Sequence, residues 1–200
     1  CGGMALDVEY TQKVGEFARK NKLYFHIDGA RIFNAAAALG VDVRDLVAPA
    51  DSVTFCLSKG LGAPVGSVLC GSKEFIEQCR RLRKMVGGGT RQAGILAAAG
   101  IYALDNMVDR LTEDHRRARV LADGLEEVPG VRLDLGSPYT NMVFVEFDQD
   151  FHLSDEEILA KLAEQGVLMG GTAPRKFRLL THVDIPDEAV RACIEAFKAL

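Results

Sequence analysis

Two charged residues follow short apolar runs in the first third of the chain. Asp28 ends the run LYFHI, and Lys59 follows the run VTFCL. Lys59 comes 31 residues after Asp28, which fits one strand–helix–strand crossover of about 30 residues, so both are expected at the carboxyl edge of a parallel sheet. A lysine amine at a buried strand end can form a Schiff base, and pyridoxal phosphate also requires a carboxylate near its pyridinium nitrogen. A solvated lysine and a turn or helix-capping aspartate remain open on the pattern alone.

The glycine-rich stretch beside Lys59 does not fit a nucleotide site. GLGAPVG at residues 60–66 follows the lysine, whereas the phosphate loop GxxxxGK(S/T) places its glycines before the lysine, and the GxGxxG fingerprint also fails. The chain's 24 basic and 28 acidic residues are well mixed and give a net charge of only −4. No basic face is expected for nucleic acid or an anionic membrane, so a small-molecule substrate is favoured.

The elements that must position these residues alternate between helices and strands, which predicts an α/β fold. Residues 1–115 are expected to form a major domain and residues 116–200 a small α+β domain, with a linking helix at about 105–128. The expected strands cover residues 23–27, 53–57, 65–70, 131–135, 142–147 and 177–180, and the expected helices include residues 31–39, 72–86, one opened by a capping box at 154–157 and one after Pro186.

The cysteines and the chain termini bear on the cellular compartment. Five cysteines, an odd number without a CxxC motif, favour reduced thiols and therefore a cytoplasmic protein. No run approaches the length of a membrane span, and the N-terminus lacks the pattern of a signal peptide. Because the chain begins at Cys1, we expect either a removed leader or a piece of a longer protein.

Several other residues have a structural interpretation that outweighs a functional one. His26 in its strand is expected to be a packed or sheet-face histidine, and His182 is expected to be structural. Cys56 and Cys70 are interpreted as small core residues, and the apolar stripe of the 72–86 helix as ordinary core.

Three long blocks of the sequence resemble the low-specificity L-threonine aldolases. They are FHIDGARIFNA at residues 25–35, LSKGLGAPVGS at 57–67 and RKMVGGGTRQAG at 83–94. Their order and spacing match as well, and the resemblance continues through residues 140–141 to residues 178–184. It therefore covers essentially the whole chain.

The resemblance implies a fold, a cofactor and a set of site residues. The fold would be that of aspartate-aminotransferase-like, fold type I enzymes, with a mostly parallel major domain and a small C-terminal domain. Lys59 would bind pyridoxal 5'-phosphate as a Schiff base, Asp28 would pair with the pyridine nitrogen, and Arg31 would support the cofactor. Arg178 would bind the substrate carboxylate by a bidentate contact. No metal is implied.

The activity implied by the resemblance is aldol cleavage of L-threonine or L-allo-threonine to glycine and acetaldehyde, in a homo-oligomer that is a dimer or a tetramer. Members of the family also carry an N-terminal segment, with a phosphate-binding loop and a ring-stacking histidine, that has no counterpart in this sequence. The chain alone is therefore expected to be inactive and to have an unpaired sheet edge. Two alternatives remain: a non-catalytic form that assembles with full-length subunits, and another pyridoxal-phosphate reaction such as β-elimination.

Overall fold

The computed structural model describes residues 2–136 and 138–200, which form two compact units. The first unit is Ala5–Leu111; the second is Thr112–Leu200 together with the N-terminal residues up to Met4. The expectation of a reduced thiol at Cys1 lies outside the described residues; the other four cysteines are free. In the part of the chain that the structure describes, no helix combines the length and apolar composition needed to cross a membrane.

The first unit contains a three-stranded sheet in the order β1-β2-β3. Strands β1 and β2 are parallel, as the spacing of Asp28 and Lys59 predicts, whereas β3 is antiparallel to β2. The elements are α1 (Val8–Lys20), β1 (His26–Asp28), α2 (Ile32–Leu39), α3 (Val43–Val47), β2 (Ser52–Cys56), β3 (Ser67–Gly71), α4 (Lys73–Met85) and α5 (Gly94–Asn106).

Strand β1 is shorter than the apolar run predicts. It begins only at His26, because the backbone N–H of Phe25 donates to a side-chain oxygen of Asp51 (2.7 Å) instead of extending the ladder.

Local signals place the helix ends well: Ser72 accepts a hydrogen bond from the backbone N–H of Phe75 at the start of α4, and Gly40, with φ +65°, ends α2.

The core of the first unit is small. Its apolar cluster contains the buried residues Leu57, Leu61, Ala63, Ala103 and Leu111, and Ala18, Ala36 and Leu46 are also buried. Helix α4 contains no buried residue: Phe75 is 38% exposed, Leu82 56% and Met85 70%. The prediction that the apolar stripe of α4 is ordinary core is therefore wrong for this chain, because no described element covers that stripe. Cys70 is also exposed, against the expectation of a core residue.

The second unit is built on a four-stranded antiparallel sheet in the order β4-β5-β7-β6. Residues 107–110 separate α5 from the following helix, so the linking helix expected at about 105–128 begins only at Leu111. Strand β6 has no counterpart among the expected strands. The elements are α6 (Leu111–Glu126), β4 (Val131–Leu133), β5 (Met142–Phe147), α7 (Asp155–Glu164), β6 (Gly170–Ala173), β7 (Lys176–Leu180) and α8 (Asp187–Lys198).

Aromatic rings dominate the core of the second unit. Phe147 packs edge-on against Phe151 and Phe177, with ring centroids at 4.9 and 5.7 Å, and stacks on Phe197 at 5.9 Å. The predicted capping box is confirmed, since the Ser154 hydroxyl accepts from the N–H of Glu157 and the Glu157 carboxylate accepts from the N–H of Ser154. The second unit therefore has a buried apolar core of its own, as an independently folding domain does.

The first residues of the chain belong to the second unit. The hydroxyl of Thr140 donates to the carbonyl of Gly3 (2.9 Å), and Gly3 adopts a left-handed φ of +72°. A Cβ at Gly3 would lie 3.0 Å from both Met142 Cε and Thr140 Oγ1. Only glycine fits this conformation and this space without displacing its neighbours.

A buried histidine makes the stability of the second unit depend on pH. His115 in α6 is 8% exposed, and burial lowers its pKa below the ordinary 6.5, with Asp114 opposing the shift and Arg119 adding to it. The unfolded chain therefore binds a proton more readily than the folded chain. We expect the free energy of unfolding to fall as the pH drops below 6.5.

Urea denaturation at pH 7.5 and 5.5, followed by far-ultraviolet circular dichroism, measures this effect. His115→Gln should flatten the pH dependence, whereas the matched change at the exposed His152, His152→Gln, should leave it as in the original chain. An equal slope in all three proteins would contradict the assignment to His115.

Candidate active site

Asp28 lies at the carboxyl end of β1, beside the neighbouring strand. It is the last residue of β1 and lies opposite Thr54 of β2 in the register of the sheet. The pairing continues past it, because the N–H of Gly29 donates to the carbonyl of Thr54 (2.8 Å). The Asp28 side chain is exposed at this edge.

Lys59 lies three residues beyond β2 in a turn that the backbone closes on itself. The N–H of Gly62 donates to the carbonyl of Lys59 (2.9 Å), and the N–H of Leu57 donates to the carbonyl of Gly66 (2.9 Å). Gly62 and Gly66 have φ values of +74° and +108°, which favour glycine. The glycine-rich stretch therefore holds the lysine backbone at the sheet edge and is not a phosphate loop.

Helix α2 packs against both turns. Arg31 is half-buried and immediately precedes α2, whose first N–H donates to the carbonyl of Gly29 (2.8 Å). Asn34, 3% exposed, packs against the Lys59 turn, since a Cβ on Gly60 would lie 3.0 Å from Asn34 Oδ1. The structure thus brings the three predicted residues of this unit to one edge. Asn34 is a positioning residue that sequence reasoning missed, although it lies in the block at residues 25–35.

Lys59 and Asp28 make no polar contact with any residue that the structure describes. In residues 2–136 and 138–200, neither the Lys59 amine nor the Asp28 carboxylate makes a hydrogen bond or an ion pair. Both side chains are exposed, so the expectation of a lysine at a buried strand end is not met. An amine and a carboxylate on a fixed backbone are suited to binding a ligand that carries an electrophilic carbonyl and a basic nitrogen.

The two histidines of interest have structural surroundings. His26 is exposed on the sheet, with Nδ1 2.9 Å from Ser52 Oγ, as expected of a sheet-face histidine. His182 Nδ1 accepts a hydrogen bond from the N–H of Asp184 (3.4 Å), so it helps to shape the turn after β7. The described residues hold no cluster of three or more His, Cys, Asp or Glu side chains that could bind a metal ion.

Arg178, the fourth predicted site residue, lies in the second unit. It is exposed in the middle of β7, opposite Phe144 of β5 on one side and Gly170 of β6 on the other. It lines a groove of about 620 Å³ together with Met169, Thr172 and His182. A Cβ on Gly170 would have no atom within 4 Å, so the space beside Arg178 is open. Its guanidinium has no ion pair or hydrogen bond to any other described residue.

Comparison with known proteins gives a consistent set of matches. The family model described as "Beta-eliminating lyase" matches residues 1–150. Among curated proteins, the chain is 45% identical over 197 residues to low-specificity L-threonine aldolase 1 of Arabidopsis thaliana and 46% identical over 190 residues to the low specificity L-threonine aldolase of Escherichia coli K12. These alignments cover 98% and 93% of the chain, but only 55% and 54% of those proteins. The chain thus spans about half the length of the relatives it matches.

A solved structure supports the fold. The threonine aldolase of Leishmania major superposes with a TM-score of 0.81 at 21% identity, covering 99% of this chain and 58% of that one. The predicted α/β fold class and the resemblance drawn from the three sequence blocks are confirmed.

The close packing at Gly29 generates a prediction about the Asp28 turn. A Cβ there would lie 2.9 Å from Ile32 Cβ and 3.2 Å from the carbonyl oxygen of Thr54, so Gly29→Ala must shift β1 or α2. We expect it to lower the free energy of unfolding by about 1–3 kcal/mol, the usual cost of overpacking. Urea denaturation of the purified chain measures this loss.

The matched control is Gly94→Ala. A Cβ on Gly94 would have no atom within 4 Å, and Gly94 is the first residue of α5, where alanine has a higher helix propensity than glycine. That variant should be as stable as the original chain or slightly more stable. Equal stability of Gly29→Ala would mean that the turn after Asp28 is not tightly packed.

Proposed function

Because this chain belongs to the beta-eliminating lyase family, we propose that it is the C-terminal portion of a pyridoxal-phosphate-dependent enzyme that cleaves L-threonine or L-allo-threonine to glycine and acetaldehyde. The observation that carries the proposal is a pair of groups at the carboxyl edge of two parallel strands, Lys59 and Asp28, which make no ion pair or hydrogen bond with any described residue. Similarity to proteins named low-specificity L-threonine aldolases supports the choice of reaction.

The donor set of the first unit fits pyridoxal phosphate. When bound, the cofactor supplies an electron sink for the electrons released at the amino acid's Cα. In the proposal, Lys59 Nζ would hold the cofactor at its aldehyde group, and the Asp28 carboxylate would hold the proton on the cofactor's ring nitrogen. Arg31 supports the cofactor from the turn before α2, and Asn34 steadies the Lys59 turn by packing against Gly60.

Arg178 is proposed to bind the substrate carboxylate. Its planar guanidinium can donate two parallel hydrogen bonds to a carboxylate, which fixes the orientation of the bound amino acid. Gly170 has no side chain beside Arg178, which leaves room for such a ligand, and no described acidic residue forms an ion pair with the guanidinium. A fixed orientation matters because only one bond at Cα can be aligned for cleavage at a time.

We assign the remaining cofactor contacts, including those to the phosphate, to the segment of the relatives that this chain does not span. The uncovered apolar stripe of α4 supports this division, because it lacks a packing partner within the described residues. By the same reasoning the chain alone should have little or no activity. We also propose that the complete enzyme is a homo-oligomer, as the resemblance implies.

A second candidate is β-elimination on a hydroxy or thiol amino acid. The description of the matching family favours it, and the cofactor chemistry is shared. The products separate the two reactions, because aldol cleavage of threonine yields glycine, whereas β-elimination on serine or cysteine yields pyruvate.

Complementation tests the proposed reaction. We expect the chain, mixed with the N-terminal segment of the Escherichia coli relative, to release glycine and acetaldehyde from threonine in the presence of pyridoxal phosphate, and to release far less when alone. Borohydride reduction and peptide mapping should place the pyridoxyl label on Lys59. Lys59→Ala should abolish the label, and Lys73→Ala, the control, should keep it.

Release of pyruvate in place of glycine would favour the second candidate. A soluble complex that binds no cofactor would favour a non-catalytic role, and a label on Lys73 or Lys84 would remove Lys59 from the site.

The proposed role of Arg178 predicts the effect of a conservative change. Arg178→Lys keeps the charge but loses the bidentate geometry, so kcat/KM for threonine should fall by about two orders of magnitude, as the loss of about 2–3 kcal/mol of charge-assisted bonding implies. Cofactor absorbance should be unchanged. Arg191→Lys on the exposed face of α8 is the control, and unchanged kinetics in Arg178→Lys would exclude Arg178 from the substrate site.

A further inference from the structure

The solvent-facing side of the small sheet carries an ion-pair network next to Arg178. On β7, Lys176 and Arg178 are two residues apart and face the same side, while Phe177 and Leu179 point into the core. Lys176 lies opposite Glu146 of β5, and Arg178 lies opposite Phe144. The two cations of β7 therefore have neighbouring positions on one surface.

Two carboxylates lie on the same face of the sheet as these cations. Glu146 is the diagonal neighbour of Arg178, at about 7–8 Å between Cα atoms, a distance that long side chains span. Asp134 follows β4, and its N–H donates to the carbonyl of Phe144 (2.9 Å). Because Phe144 in turn lies opposite Arg178, Asp134 and Arg178 lie in one cross-strand row, about 10 Å apart across two strand spacings. Their side chains are only 17% and 16% exposed.

Lys176 holds both of these carboxylates. Its ammonium group forms a short ion pair with Asp134 and lies 3.6 Å from Glu146 Oε2. Arg132 adds a second contact to Glu146, at 3.2 Å. The hydrogen bond to Asp134 raises the pKa of Lys176, so this lysine stays charged through the neutral pH range. Arg178, by contrast, makes no ion pair with any described residue.

We infer that Lys176 is a positioning residue for Arg178: by holding Glu146 Oε2, it keeps this carboxylate from pairing with Arg178 and leaves that guanidinium available for the carboxylate of an amino acid. The inference rests on the proposed function for the identity of the ligand. The arrangement of charges on the sheet stands independently of it.

The physical basis is competition for poorly solvated carboxylates. A carboxylate that is about five-sixths buried needs a cationic partner or hydrogen-bond donors, and without them its desolvation destabilises the fold. If Lys176 loses its charge, Arg132 still contacts Glu146 Oε1, but Glu146 Oε2 loses its cation, and Arg178 is the diagonal neighbour on β7 that can take its place. An arginine paired within the protein would have to give up that contact before binding a substrate carboxylate.

Arginine-specific labelling tests the inference on the chain itself. Phenylglyoxal reacts with free guanidinium groups faster than with those held by carboxylates, and peptide mapping reports each arginine separately. In the original chain Arg178 should react at the rate of the exposed Arg80, whereas Arg175, paired with Asp155 at 3.1 Å, supplies the slow reference. In Lys176→Met, labelling of Arg178 should slow about fivefold, in keeping with the strength of a partly exposed ion pair.

Neutralising the two acids supplies the rescue. Lys176→Met combined with Asp134→Asn and Glu146→Gln should restore the fast labelling of Arg178, which a general disturbance of the sheet would not do. Lys161→Met removes one exposed lysine from α7 of the same unit and should leave the labelling unchanged. Equal labelling of Arg178 in the original chain and in Lys176→Met would overturn the inference.

Kinetics of the complemented enzyme test the link to function. Lys176→Met should raise KM for threonine about fivefold with little change in kcat, since it affects the availability of the binding group and not the reaction. The triple variant should recover the original KM. Slowed labelling with an unchanged KM would support the pairing role of Lys176 and overturn the substrate role of Arg178, so the two failures are distinguishable.

Discussion

The parallel pairing of β1 with β2 is the constraint on which the candidate site depends. Parallel strands end at the same edge of a sheet, so three cross-strand positions, from His26 opposite Ser52 to Asp28 opposite Thr54, are enough to bring the Asp28 turn and the Lys59 turn together. Helix α2 then packs against both turns through Gly29 and Asn34. Neither charged side chain makes a hydrogen bond or an ion pair with any described residue in this arrangement, so both are available for chemistry.

The second unit carries Arg178, a cation that makes no ion pair with any described residue, on a surface that also carries acids. Its interior is aromatic and closely packed around Phe147, so the strand register is fixed from the core side. That register places Lys176 and not Arg178 opposite Glu146. In this unit, core packing therefore determines which charges on the opposite face can meet.

Local signals in the sequence predicted much of this structure. The spacing of Asp28 and Lys59 predicted the parallel pair, and the capping box at Ser154 predicted the start of α7. Exposure was predicted less well, because the apolar stripe of α4 indicates a packed face without showing whether its partner is in the same chain. Strand β6 was missed because GGTA lacks an alternating pattern and pairs only through β7. The break at residues 107–110 was not predicted because it contains no Gly or Pro. The ion pairs of Lys176 could not be predicted because their partners are 30 and 42 positions away in the chain.

The contact between Thr140 and Gly3 joins residues 137 positions apart. It makes the first unit, Ala5–Leu111, an insertion between two segments of the second. During synthesis, Gly3 leaves the ribosome long before the strand that will hold it has been translated. The first unit can therefore begin to fold early, whereas the second must wait until its four strands, in residues 131–180, have been translated. Because closing so long a loop costs entropy that only the finished sheet can offset, residues 2–4 should be the last part of the second unit to become ordered.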